Sequence, residues 1–200
     1  MGVYHKWKCV FVEIPKNASN AIHNALQNKT DHINSHATYL EYLNNNDIEL
    51  IESYFSFAVV RNPYDRFVSA FEFCTKISKE LDSSLDFEEF IYELEKRGDL
   101  GYTDFPIHFV PQNKFIVIKT ISLVDQIIRF ENLGEDWKKV ADKINLQRHP
   151  SFGRLSDFLQ VINANPSKFN KSYEDFYKEE TKEIIYNLYR KDFELFDYKK

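Results

Sequence analysis

Lys16, Arg61 and Ser69 are the residues whose type and setting best suit holding an anion and polarising it. Lys16 lies in Pro15-Lys16-Asn17-Ala18-Ser19-Asn20-Ala21, a turn of small and polar residues. The apolar run Cys9 to Ile14 precedes this turn, and helical spacing through Ala18, Ile22, Ala25 and Leu26 follows it. The stretch therefore reads as a strand, a turn and a helix start. Such a start presents unpaired backbone N–H groups and a partial positive charge, which suits a phosphate or sulfate. Lys16 adds a mobile full charge at the same place. The plainer reading is a strand–turn–helix connection with a solvated lysine. The common nucleotide loops are excluded, because GxxxxGK[ST] and GxGxxG both need glycines. No glycine occurs between Gly2 and Gly98.

Arg61 and Ser69 belong to a second strand–helix unit, Phe55 to Cys74. Phe57 to Val60 is a buried-strand candidate with Arg61 at its carboxyl end. Asn62 suits an N-cap, Pro63 the first helical position and Asp65 the first turn. At about 100° per residue, Asn62, Asp65, Arg66 and Ser69 share one face, and Phe67, Phe71 and Cys74 share another. Open α/β sheets bind ligands at the carboxyl ends of their strands. A strand-end arginine and a helix-borne serine are placed to serve such an edge; the plainer reading is a salt bridge and a solvated hydroxyl. Two histidines, His32 and His36, stand in the polar stretch between the two units. Histidines in polar loops are mostly solvated, and no spacing of His and Cys gives a metal-ligand set.

The remaining elements fit one domain. Thr38 to Tyr54 has helical character, interrupted near Asn44-Asn45-Asn46. Leu85 to Lys96 is a helix stopped by Gly98. Tyr102 to Asn113 is an aromatic, proline-marked loop of the kind that shapes clefts. Phe115 to Ile118 and Gln126 to Phe130 are strand candidates, and Leu133 to Ile144 is a helix. Leu146 to Ser172 is polar and irregular, with a short helix around Leu155 to Ile162. Thr181 to Phe196 reads as one amphipathic helix with Ile184, Ile185, Leu188 and Tyr189 toward the core. The alternation of strands and helices predicts a three-layer α/β/α domain with a mainly parallel sheet.

Bulk properties narrow the function classes. Two hundred residues suit one core, and 43% hydrophobic residues are too many for a disordered chain. A net charge of −5 argues against a nucleic-acid-binding domain. Only two cysteines occur, Cys9 and Cys74, which fits two core thiols in a reducing compartment. Neither a signal peptide nor a membrane-spanning stretch is legible, so a cytoplasmic protein is expected.

The motifs resemble those of sulfotransferases that use 3′-phosphoadenosine 5′-phosphosulfate (PAPS). Ile14 to Asn20 is similar to their 5′-phosphosulfate loop, and Val60-Arg61-Asn62-Pro63-Tyr64-Asp65-Arg66-Phe67-Val68-Ser69 to their 3′-phosphate motif. The best fit is to the carbohydrate sulfotransferase group that includes the heparan sulfate 2-O- and HNK-1-type enzymes. His108 to Gln112, Ile128 to Leu133 and Leu188 to Tyr198 extend the resemblance, in order, over almost the whole chain. The family's first loop usually reads PK-T-A-G-T; here Asn17, Ser19 and Asn20 stand in it, with Ala21 where Ser or Thr is common.

The resemblance implies a single sulfotransferase domain over 1–200, with a sheet related to P-loop kinases. It implies sulfuryl transfer from PAPS to an acceptor hydroxyl, by default on a carbohydrate, without a metal. Pro15 to Ala21 would hold the phosphosulfate, with Lys16 meeting the charge that builds on the leaving phosphate. Arg61 and Ser69 would hold the 3′-phosphate. His36, lying between the two cofactor motifs, is the expected general base, with His32 and His108 as alternatives. Glu13 is assigned to the strand end. Two other classes fit the same motifs: a P-loop-like nucleotide or phosphate transferase, and an inactive binder of adenosine bisphosphate or a glycan.

Overall fold

The two apolar runs expected as strands lie side by side in the computed structural model, which describes residues 2–26, 38, 48–98, 106–146 and 172–200. Strand β1 (Gly2–Tyr4) runs antiparallel to β2 (Cys9–Val12), with Gly2 opposite Phe11. β2 runs parallel to β3 (Phe55–Val60), with Cys9 opposite Phe55 and Val12 opposite Ala58. A small antiparallel hairpin, β4 (Val117–Ile118) and β5 (Ile121–Ser122), stands apart from this sheet. β6 (Gln126–Arg129) completes the main sheet by pairing parallel to β3. Among the described residues the order is β1-β2-β3-β6, so the fold is mixed α/β with a mainly parallel sheet. Every residue of β2 and β3 is buried, the pattern of central parallel strands.

The chain divides into two compact units. The first, drawn from residues 1–60 and 114–164, contains the sheet. Helix α1 (Ser19–Ala25) buries Ala21, Ile22 and Ala25, and α2 (Ile48–Glu52) leads into β3. The core is aromatic: Phe11 and Phe57 stack with ring centroids 5.1 Å apart, and Trp137 meets Phe57 edge-on at 6.1 Å. The Trp7 indole N–H donates to the Leu26 carbonyl at 2.7 Å, so this buried ring costs no lost hydrogen bond.

The second unit, drawn from residues 61–113 and 165–200, is helical. Helix α3 (Pro63–Lys76) starts as the sequence predicts: the Asn62 side chain accepts from the Tyr64 N–H at 2.9 Å, and Pro63 follows. Helix α4 (Phe87–Arg97) is capped by Asp86, which accepts from Glu88 and Glu89 N–H, and stops at Gly98 with φ 71°. Phe67, Phe71 and Cys74 of α3 pack with Phe90, Ile91 and Leu94 of α4 and with Ile184 and Ile185.

Three expectations are corrected. Phe115 to Ile118 is not a strand throughout: Asn113–Ile116 makes one turn of helix, α5, before β4. Helix α6 (Leu133–Leu146) follows β6 as expected. The C-terminal helix is two, α7 (Glu179–Leu188) and α8 (Arg190–Leu195), separated at Tyr189 with φ −109° and ψ 18°. Tyr189 is buried and its hydroxyl donates to the Phe109 carbonyl at 2.7 Å, a tertiary anchor that overrides helical periodicity. Arg66, expected on the polar face of α3, is only 2% exposed. Most of Thr38 to Tyr54, the short helix at Leu155 to Ile162, and both His32 and His36 lie outside the described residues.

Candidate functional site

The turn after β2 takes its shape from two left-handed residues, Lys16 at φ 69° and Ala18 at φ 62°. Neither is glycine, so each holds a conformation that L-residues visit at a cost of about 1 kcal/mol or more. Reversals of this kind turn successive backbone N–H groups to one side and make anion-binding concavities. Asn17 fixes the turn: it is fully buried, and its amide donates to the Val59 carbonyl at 2.8 Å, near the end of β3. Ala21 and Ile22 N–H groups donate to the Ala18 carbonyl and start α1. Ser19 Oγ is buried and has no hydrogen-bond partner among the described residues. A buried hydroxyl in that state is costly unless something bound supplies the partner. Lys16 and Ser19 are half-buried and Asn20 is exposed, while Pro15 and Ala21 are buried.

A buried relay braces both ends of this turn. The Tyr4 hydroxyl hydrogen-bonds to His23 Nδ1, and His23 Nε2 lies 3.3 Å from a Glu13 carboxylate oxygen. Glu13 precedes the turn and His23 lies in α1 beyond it. Burial, with smaller contributions from Cys9 and Glu13, pushes the Tyr4 phenol well up, so it remains a neutral donor. Burial likewise pushes up the Cys9 thiol, which is a core residue and not a nucleophile. Sequence reading assigned Glu13 to the strand end and passed over His23 and Tyr4. Residues ten and nineteen positions apart carry no local spacing signal.

In the helical unit Arg61 is held from two directions. Its guanidinium pairs bidentately with Asp65, Nε to Oδ2 at 2.7 Å and a terminal nitrogen to Oδ1 at 2.8 Å. Its backbone N–H donates to Gln112 Oε1 at 2.9 Å, and Gln112 Nε2 donates to its carbonyl at 2.8 Å. Gln112 is in turn fixed by Asp192, whose carboxylate accepts the Gln112 N–H at 2.7 Å and the Asn113 N–H at 2.8 Å. Full burial raises the Asp192 carboxyl, against the bonds from Asn113 and Gln112 and the Arg66 charge, which pull it down. Ser69 is half-buried on α3. Asp65 was legible as an i,i+4 partner of Arg61. Gln112 and Asp192 were visible only as members of recurring motifs.

His108 stands in a short 3₁₀ turn (Ile107–Phe109). Its ring packs on Phe73 with centroids 4.7 Å apart, and Nδ1 lies 3.8 Å from Glu80. His36 and His32 are not among the described residues, so the structure brings neither to the loop nor away from it. Taken by themselves, the two units offer a constrained cationic turn and a pre-oriented arginine, groups suited to anionic oxygens.

A family model described as the Sulfotransferase family matches residues 3–199. The chain belongs to this family. No curated protein and no solved structure matches it significantly. The match runs through residues of both units, so the turn at Lys16 and the held Arg61 are parts of a sulfotransferase family chain. Sulfotransferases move a sulfuryl group to a nucleophile, and that general chemistry is the chain's. Among the described residues no helix is long and apolar enough to cross a membrane.

Proposed function

We propose that this sulfotransferase moves the sulfuryl group of PAPS to an acceptor hydroxyl carried by a carbohydrate. The observation that carries the reading is the family match over residues 3–199 together with a turn that holds Lys16 and Ala18 left-handed. Ser19 Oγ, buried without a protein partner among the described residues, fits a bound oxyanion there. When bound, PAPS supplies the activated sulfuryl group and its phosphate leaving group. Pro15 to Ala21 would receive the phosphosulfate, mainly through backbone N–H groups between these two end residues and through Ser19, and Asn17 anchors the turn by its side chain. Lys16 meets the negative charge that grows on the oxygen of the departing phosphate. Arg61, oriented by Asp65, and Ser69 receive the 3′-phosphate.

His36 is the proposed base: in neutral form it accepts the acceptor proton. Its support is its place in the sequence between the two cofactor motifs. His108 is second choice, because its ring already packs on Phe73 beside Glu80. Transfer so described relies on fixed protein donors and no metal. The family supports the wider proposals of a three-layer, P-loop-kinase-like fold and a single sulfotransferase domain over 1–200. Cys9 and Cys74 are buried and outside any disulfide, which supports a reducing, cytoplasmic setting.

Thermal shift tests the donor. PAPS and its desulfated product share the 3′-phosphate and should both raise Tm, since each binds the native state. Adenosine phosphosulfate, which lacks that group, should do so far less; equal shifts would remove the role given to Arg61 and Ser69. Incubation with radiolabelled PAPS and a panel of glycans and peptides then names the acceptor class, and label on tyrosine peptides alone would overturn the carbohydrate.

A further inference from the structure

In the helical unit three side chains of different ligand chemistry meet: Cys74, Glu80 and His108. Their donor atoms, a thiol sulfur, a carboxylate oxygen and an imidazole nitrogen, all lie within 4.8 Å of one another. We propose that these three residues form a zinc-binding site, which uses none of Lys16, Arg61, Ser69 and His36 and commits His108, the second-choice base, to the metal instead.

The backbone builds this cluster. Cys74 lies in the last turn of α3 and is fully buried. Beyond the helix the chain folds back: Ile77 and Ser78 N–H both donate to the Phe73 carbonyl, and Lys79 takes φ 57°. The Leu81 N–H then donates to the Cys74 carbonyl at 3.1 Å, which sets Glu80 beside that turn. His108 comes from the 3₁₀ turn, which is pinned by buried Phe109 and by the Tyr189 hydroxyl on the Phe109 carbonyl. Phe73 packs against its ring. Two firmly placed elements thus supply sulfur and nitrogen, and the exposed Glu80 of the following loop supplies the carboxylate.

The donor set selects the ion. Thiolate, imidazole and carboxylate together are borderline-soft, and zinc takes all three in tetrahedral geometry. Bonds of about 2.0–2.3 Å put the ligand atoms of such a site about 3.5 Å apart. The His108 to Glu80 separation is 3.8 Å, and all three donor atoms lie within 4.8 Å of one another. The His108 side chain is 11% exposed and that of Glu80 41%, so one side of the cluster meets solvent and leaves the fourth position to water. Binding replaces the Cys74 S–H bond by a sulfur–zinc bond and releases that proton to solvent.

Cobalt(II) is the probe, added to the chelator-treated full-length protein. The expected result is one ion per chain, with a thiolate-to-cobalt charge-transfer band and the intense visible bands of tetrahedral cobalt, both removed by added zinc. Cys74→Ser should abolish the charge-transfer band. Glu80→Gln and His108→Gln should each weaken binding by at least the roughly 10- to 100-fold that a lost supporting partner costs. Circular dichroism checks folding; if Cys74→Ser or His108→Gln unfolds, Glu80→Gln at its exposed loop position still decides. A native protein without the charge-transfer band, or a folded Glu80→Gln protein with unchanged affinity, would overturn the site.

Discussion

Ala18 is the residue at which backbone cost and function are most directly in conflict. With φ 62° it occupies the left-handed region without glycine's freedom. Ala18→Gly should leave Tm unchanged or raise it, whereas Ala18→Val, β-branched at positive φ, should cost about 1–2 kcal/mol in chemical denaturation. If valine is tolerated, the left-handed turn is not what the protein forms in solution. Lys16 and Arg61 separate chemistry from binding at the same scale. Lys16→Ala keeps the Cβ and hence the backbone strain, but in the proposed transfer it would remove a charge needed most in the transition state. Turnover should fall about 10²–10³-fold with a small change in donor affinity. With Arg61 on the 3′-phosphate as proposed, Arg61→Ala would remove a contact made in ground and transition states alike, so donor affinity should fall about 10- to 100-fold while turnover at saturation holds. Steady-state kinetics of both variants with PAPS settles the division. These two cations were legible because each stands inside a short motif whose neighbours encode the turn around it. The Tyr4–His23–Glu13 relay was not, since it takes both the antiparallel pairing of β1 with β2 and the return of α1 after the turn to bring its members together.

Elements were legible where their ends are coded locally and illegible where distant anchors decide. Asn62-Pro63 opens α3, Asp86 opens α4 and Gly98 closes it, each by a side-chain or backbone property of that residue. The break at Tyr189 has no such code. It depends on Phe109 accepting the Tyr189 hydroxyl and on Asp192 receiving Gln112 and Asn113, contacts some 80 positions away in the chain. The turn of α5 at Asn113 shares that cause, because Asn113 is tied to Asp192 by both backbone and side chain. Asp192 thus links α8 through Gln112 to the backbone of Arg61. Asp192→Ala would orphan two backbone N–H groups and one amide donor inside the unit. At about 1–3 kcal/mol for each buried unsatisfied group, a loss of about 3–5 kcal/mol is expected. Urea unfolding with an unchanged m-value would report it; a loss under about 1 kcal/mol would mean that Asp192 holds nothing.

At the scale of the whole chain, burial makes stability depend on pH asymmetrically. Four phenols are raised by desolvation: Tyr4, Tyr177 and Tyr189 well up, and Tyr64 to about 12. Each stays a neutral donor or buried ring in the native state; Tyr177 donates to the Tyr64 carbonyl at 2.8 Å. In the unfolded chain a phenol ionises near pH 10. The native state then binds more protons than the unfolded one, so stability is intact below about pH 10 and falls as pH rises above it. Each group contributes up to about 1.4 kcal/mol per pH unit above that point, less for Tyr64 as its own ionisation at about 12 approaches, so together they remove several kcal/mol between about pH 10 and 12. Against a typical stability of about 5–15 kcal/mol, the protein should unfold cooperatively between about pH 11 and 12. The acid flank should be shallower. Burial pushes the Asp136 carboxyl up, but Lys139 and the Arg129 N–H outweigh it and hold it below its usual range; its contribution fades only as pH falls below about 4. Asp192, held high, keeps its proton more readily when folded and loses no stability as pH falls. Tyrosinate absorbance and far-ultraviolet dichroism, followed together through an alkaline titration, check the account. The four raised phenols should ionise in one step with the loss of helix. Their ionisation near pH 10 in a protein that keeps its native dichroism would show that these phenols are not buried as described. Trp7 and Trp137 both lie in the sheet-containing unit, whereas Tyr64, Tyr177 and Tyr189 lie in the helical one. Tryptophan fluorescence, which reports the sheet-containing unit, should therefore change at the same pH as the dichroism if unfolding is cooperative, and a lag would show that the helical unit, with three of the four raised groups, opens first.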